Sequence, residues 1–288
     1  MPLHEFRLTA SDGLRLQARE DSPETSLSGA IVLGQALGVP IAYYDPLAAW
    51  LAKQGFSVLR VAYRGTEGSP TGGGPPRLLD WGGLDLEAAL QYQAVQHPVL
   101  PRWFIGHSIS GQMLGLAPSA EGLTGMVLAA SSVPDVQFYP WHQRPLLWGL
   151  WNLLLPLVAK EGRPFNAKQW KLGSGSLPGS VVLDWARFAG KSDYLFRPEW
   201  GIDTSRYAKL HGRGLALALA DDAYAPLPAV EALASRYPGV NWETHCLRAA
   251  DGGRKKIGHF GLFREKSGGP WWPGIASWLR GETYTGPR

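Results

Sequence analysis

The residues best placed to do chemistry lie in Trp103-Phe104-Ile105-Gly106-His107-Ser108-Ile109-Ser110-Gly111-Gln112, an apolar run that ends in small residues around one serine. A strand that turns sharply into a helix at a serine lifts the hydroxyl clear of a sheet, where it can attack a substrate. Such a turn strains the serine backbone and crowds the positions two before and two after it, so both must be small. Gly106 and Ser110 meet that demand. The strict G-x-S-x-G pattern is absent, because Ser110 replaces its second glycine and Gly111 follows.

A serine hydroxyl is a weak nucleophile at neutral pH. It needs a histidine to take its proton and a carboxylate to hold that histidine in the right tautomer. Both occur late in the chain. Leu219-Ala220-Asp221-Asp222-Ala223-Tyr224-Ala225-Pro226 puts two acids at the C-terminal end of a predicted strand, and Ile257-Gly258-His259-Phe260-Gly261 puts a histidine in a loop before the last predicted helix. His211 and His245 fall before or within predicted strands and read as surface or core residues. His107 is expected to point away from the nucleophile and to pack or hydrogen-bond. In a parallel sheet ligands bind beyond the carboxyl ends of the strands, where Ser108, the acid pair and His259 would meet.

The elements that must hold these residues alternate short apolar runs with helical patterns, which predicts an α/β fold: a mostly parallel sheet with helices on both faces. The N-terminus differs, since Phe6–Thr9 and Leu14–Ala18 alternate apolar and polar residues around Asp12-Gly13 and read as an antiparallel hairpin at a sheet edge. Strands are expected at Ala30–Leu33, Phe56–Val61, Arg102–Ile105, Met126–Ala130, Leu215–Ala220 and Asn241–Leu247. Helices are expected at Pro46–Gln54, closed by Gly55, and at Leu84–Gln96, Ile109–Leu116, Pro228–Ser235 and Pro273–Leu279. Between Val133 and Lys209 the alternation stops. This tryptophan-, proline- and leucine-rich stretch reads as an inserted, mostly helical cap (133–209) on a core made of 1–132 and 210–288, with Gly173–Ser176 as a flexible loop inside it.

Composition narrows the classes. The 288 residues are 45% hydrophobic, enough for a sizeable core, and the net charge of +4 is dispersed apart from a short run around Lys255 and Lys256. That run is too small to argue nucleic-acid binding. The single cysteine, Cys246, excludes an internal disulfide and is expected to be a buried structural thiol. The N-terminus has no secretory pattern, so cytoplasmic residence is the default expectation. The most apolar segment, Pro145–Ala159, is shorter than the roughly twenty residues a membrane span needs, and reads as helices packed on a protein surface. Trp141, Trp148 and Trp151 gather there and are candidates to line a hydrophobic part of a ligand cavity. No phosphate cradle is read at Gly72–Gly74, no metal site is expected, and no cofactor is implied.

Taken together, these strings resemble the α/β-hydrolase superfamily, in particular single-domain serine hydrolases with a helical cap. Gly106–Gly111 is similar to the family's G-H-S-x-G-G elbow except at Ser110, and Gly258–Gly261 matches its G-H-F-G. The acid string approaches the family's G-x-D-D-x-x-x-P, which favours Asp222 over Asp221. Ala62-Tyr63-Arg64-Gly65-Thr66-Glu67-Gly68-Ser69 echoes its structural turn D-x-R-G-x-G-x-S, with Ala62 in place of the aspartate. The order serine, acid, histidine is also the order of this fold. The resemblance implies catalytic roles for Ser108, Asp222 and His259 and an oxyanion hole of two backbone amides. One would come from Ile109; the other, where the family often has H-G-x-G, from Ala36, with Leu37 as the alternative. The implied activity is cofactor-free hydrolysis of a carboxylic ester or thioester of small-molecule size with an apolar portion. Acyl transfer by the same residues and a non-catalytic binding role on the same fold are the rival expectations.

Overall fold

The computed structural model describes residues 3–24 and 26–287. Eight strands form the central sheet: β1 (Leu3–Thr9), β2 (Arg15–Asp21), β3 (Gly29–Gly34), β4 (Phe56–Val61), β5 (Arg102–His107), β6 (Gly125–Ala129), β9 (Gly212–Leu219) and β10 (Val240–Leu247), with β7 (Pro164–Asn166) and β8 (Ser176–Pro178) as a separate two-stranded hairpin. Their spatial order is β1-β2-β4-β3-β5-β6-β9-β10. β1 pairs antiparallel with β2, and β2 with β4. Every other neighbour in the large sheet is parallel. The N-terminal hairpin therefore lies at one edge, as its alternating pattern predicts.

The central strands are mostly apolar and almost wholly buried because both faces of the sheet are covered. Side chains alternate faces along each strand. In β5, Trp103 and Ile105 join a core with Leu47, Leu51, Trp271 and Trp278, while Phe104 points into the opposite core with Trp81, Leu90 and Met113. Helices Asp45–Lys53 and Trp272–Leu279 cover the first face, and Glu87–Gln96 and Ile109–Met113 the second. The helix expected from Leu84 starts earlier, at Leu78, and reaches Glu87 through a π-helical stretch at Trp81–Leu86.

The turn after β4 is held by side chains. Asp85, fully buried, accepts from the Arg64 amide at 2.7 Å and from its Nε at 2.8 Å. Ser69 Oγ donates to the Ala62 carbonyl and accepts from the Gln17 amide, at 2.7 and 2.8 Å. These bonds tie the turn to β2 and to the helix behind it, and none of them needs an acid at Ala62.

Between β6 and β9 the chain leaves the sheet. It forms helical turns at Arg144–Gly149, Leu150–Leu154 and Leu155–Val158, the hairpin β7–β8, and the helix Gly179–Phe188. The glycine-rich 173–176 stretch is docked rather than loose. The amides of Ser174 and Gly175 donate to the Gly38 carbonyl at 2.9 and 2.8 Å, and a Cβ at Gly173 would lie 2.3 Å from that same oxygen. Cys246 corrects another expectation: it is exposed, because β10 is an edge strand paired only with β9.

Candidate active site

Ser108 directly follows β5 and caps the helix Ile109–Met113 with φ 55° and ψ −114°, a conformation that L residues rarely adopt. Holding it there costs about 1–3 kcal/mol, which the surrounding packing must supply. The small residues around it explain how. A Cβ on Gly106 would sit 3.0 Å from the backbone of Gly111, and one on Gly111 would sit 2.3 Å from Ser131 Oγ. Gly111, one place later than the pattern asks, thus makes the close helix-to-strand contact. Ser110 is fully buried, donates to the His107 carbonyl at 3.0 Å, and packs so closely on Gly34 that a Cβ there would come within 2.6 Å of its own.

Ser108, His259 and Asp222 are brought together from three elements. His259 Nε2 lies 3.0 Å from Ser108 Oγ, and His259 Nδ1 lies 2.7 Å from Asp222 Oδ2. The Asp222 carboxylate is shielded from solvent, and its other oxygen accepts from the Tyr224 amide at 2.7 Å. Asp221 serves the same loop differently: its two oxygens accept the amides of Gly258, at 2.8 Å, and Ile257, at 2.9 Å. One acid meets the imidazole and its neighbour holds the backbone that carries it.

His107 is fully buried behind the elbow, as expected. Its ring stacks on Phe263 with centroids 4.3 Å apart. Nε2 lies 2.9 Å from the His259 carbonyl and Nδ1 lies 2.8 Å from the Tyr44 hydroxyl. Burial, then the neighbouring His259, hold the pKa of His107 well below the ordinary value, so the ring is neutral. A carbonyl only accepts, so the single ring proton is on Nε2 and the Tyr44 hydroxyl donates to Nδ1. The Tyr44 oxygen in turn accepts from the Ala36 amide at 2.8 Å. Burial keeps that phenol protonated, its pKa raised well above the usual value.

This chain of bonds bears on one sequence expectation. The Ala36 amide, first choice as second oxyanion donor, is already spent on Tyr44. The Leu37 amide has no acceptor among the described residues, and Leu37 lines the cavity beside Ser108. Gly38 follows at φ 68°, the left-handed region that favours glycine. The Ile109 amide is the first of its helix and has no acceptor within it.

The cavity over Ser108 and His259 is walled by Leu147, Leu150, Trp151 and Leu172 from the segment between β6 and β9, with Tyr139 and Tyr224 at its side. Of the three tryptophans singled out from sequence, Trp151 is buried and lines it. Trp141 and Trp148 are exposed and are not part of the wall. Trp185, on the helix Gly179–Phe188, lines it instead, and the sequence carried no signal that would have picked it out. Gln112 also reaches the cavity, its Oε1 accepting from buried Tyr194 at 2.8 Å. Tyr139 bridges the two sides by donating to the Tyr224 carbonyl at 2.7 Å.

Comparison with solved structures settles the fold. The chain superposes along nearly its whole length on a carboxyl esterase from Bacillus coagulans (TM-score 0.59, 14% identity, 98% of this chain and 99% of that one). It does so as well on an esterase from Thermogutta terrifontis (TM-score 0.61, 16% identity, 98% and 100%) and on a monoacylglycerol lipase from Paleococcus ferrophilus (TM-score 0.55, 17% identity, 98% and 99%). The chain has the α/β-hydrolase fold. At the level of sequence no family model matches it, and no curated protein does. The α/β-hydrolase sheet seen here keeps the mixed N-terminal edge, the parallel centre and a serine at the end of β5. No helix among the described residues is long and apolar enough to cross a membrane, and no group of three or more His, Cys, Asp or Glu among them is arranged to hold a metal ion.

Proposed function

We propose that this protein is a serine hydrolase that cleaves a small carboxylic ester or thioester. The observation that carries this reading is the unbroken line from Ser108 Oγ to His259 Nε2, at 3.0 Å, and from His259 Nδ1 to Asp222 Oδ2, at 2.7 Å. Both distances are within the range in which a base takes a proton and a carboxylate steadies the resulting imidazolium. The solved structures it superposes on are called esterases and a lipase, which supports the same reaction class.

In this reading Ser108 Oγ attacks the acyl carbon while its proton passes to His259 Nε2. The carbonyl π electrons move onto oxygen, and the resulting oxyanion accepts from the amides of Ile109 and Leu37. Ala36 serves that hole indirectly, because its bond to Tyr44 fixes the loop that presents Leu37. As the carbonyl re-forms, the bond to the leaving alcohol or thiol breaks and His259 returns the proton to it. Water then repeats the sequence on the acyl-serine: His259 takes its proton, the acid leaves and Ser108 is restored. We take residues 133–209 as a cap over a core of 1–132 and 210–288, and Leu147, Leu150, Trp151 and Trp185 as the wall that receives the apolar portion of the substrate.

A fluorophosphonate probe tests the nucleophile directly, with labelling of the native chain expected and labelling of Ser108→Ala absent. Labelling that survives Ser108→Ala overturns the assignment. Rates on p-nitrophenyl esters of graded chain length, set beside acyl thioesters, then fix the acyl size and the leaving group.

A further inference from the structure

The helical segment Arg144–Val158 is apolar nearly all round, yet only one side of it is covered. Leu147, Trp151 and Leu155 face inward and are buried. On the other side Trp141, just before it, and Leu146, Trp148, Leu153, Leu154 and Leu157 are exposed, Trp141 to 79% and Leu157 to 74%. Elsewhere among the described residues only Leu3, Val95 and Val99 are large apolar side chains with comparable exposure, and they are scattered. Single exposed leucines need no explanation, but a helical stretch with apolar residues on its outer face calls for a covering surface.

Charge indicates what that surface is. From Val136 to Lys160 the chain contains no aspartate or glutamate, while Arg144 and Lys160 lie at the two ends. Arg163, Lys168 and Lys171 follow and are exposed. The acid that interrupts them, Glu161, is paired with Arg77 at 3.1 Å. A second copy laid on this face about a two-fold axis would bring these cationic ends near one another. An anionic lipid surface would accept them together with the leucines and tryptophans, since tryptophan rings favour the interface between hydrocarbon and water and basic side chains are drawn to anionic headgroups.

We propose that the outer face of Arg144–Val158, with Trp141, docks on the surface of an anionic lipid bilayer, lying in the interface rather than crossing it. The same segment walls the cavity through Leu147, Leu150 and Trp151, so docking seats the roof of the cavity on the lipid.

Flotation with phosphatidylcholine vesicles, with and without phosphatidylglycerol, tests this. The full-length Ser108→Ala chain is used, so that lipid hydrolysis cannot alter the vesicles and the outcome does not depend on the hydrolase reading. It should float with the anionic vesicles. The pair Leu153→Gln/Leu157→Gln, exposed positions whose replacement leaves the core intact, should bind at least tenfold more weakly. Lys160→Glu/Arg163→Glu should lose roughly tenfold on anionic vesicles and little on neutral ones. No flotation of the parent overturns the proposal, as does binding indifferent to the leucine pair or to the charge reversals. A concentration-dependent dimer that the leucine pair dissociates also overturns it and assigns the face to a second copy.

Discussion

The Tyr44 hydroxyl donates to His107 Nδ1 at 2.8 Å, and through that bond the loop after β3 is connected to the loop that carries His259. The connection runs Ala36 amide, Tyr44 oxygen, His107 ring, His259 carbonyl, and both side chains are fully buried. Tyr44→Phe leaves the ring in place but strips the hydroxyl, orphaning a buried amide and a buried imidazole nitrogen. The expected cost is about 1–3 kcal/mol of stability, read by urea denaturation. Turnover should fall with KM little changed, because the oxyanion loop and the base lose their common anchor. A variant that is as stable and as active as the parent removes Tyr44 from the site's support.

His107 sets a pH dependence whose sign follows from its burial. Folded, it resists protonation; unfolded, it takes a proton near pH 6.5. Below that pH the unfolded state binds more protons, so stability falls on acidification, by about 1.4 kcal/mol per pH unit from this group. It is fully present above the unfolded pKa. Urea denaturation at pH 7, 6 and 5 should show a shallower acid loss for His107→Gln than for the parent. Equal slopes would mean that His107 does not contribute.

The two neighbouring acids should separate in assay. Asp222→Asn leaves a neutral amide against His259 Nδ1 and is expected to lower kcat by several orders of magnitude with the fold intact. Asp221→Asn keeps one acceptor for the Ile257 and Gly258 amides, so its loss should be about tenfold or less and accompanied by a lower melting temperature. The reverse ranking would move the acid role to Asp221.

Leu37→Pro removes an amide without altering Ser108 or His259. Loss of one oxyanion donor costs about 100- to 1000-fold in kcat. Circular dichroism should remain that of the parent. An unaffected kcat would return the role to Ala36.

Packing at the elbow gives a further check. Gly111→Ala would drive a Cβ to 2.3 Å from Ser131 Oγ and 2.7 Å from Ser131 Cβ, so stability should drop by about 1–3 kcal/mol. A melting temperature unchanged from the parent would show that helix and strand part easily there.

Much of this protein was determined by its sequence alone. The apolar runs marked the central strands and the alternating runs marked the edge hairpin, because a strand covered on both faces is mostly apolar and a hairpin covered on one must alternate. The strings around Ser108, Asp222 and His259 were legible because each sits at a strand end or loop where local sequence sets the backbone. The tertiary structure decided what depends on neighbours remote in sequence. It spent the Ala36 amide on Tyr44, a residue that no motif singles out. It assigned two roles to adjacent acids that are alike in type. Trp151 went to the cavity while Trp148, three residues earlier on the same helical segment, went to the surface. Cys246 was left exposed on β10, which only β9 flanks. Which amide is free, which ring is covered and which edge is open are properties of packing, and packing is settled between segments rather than within them.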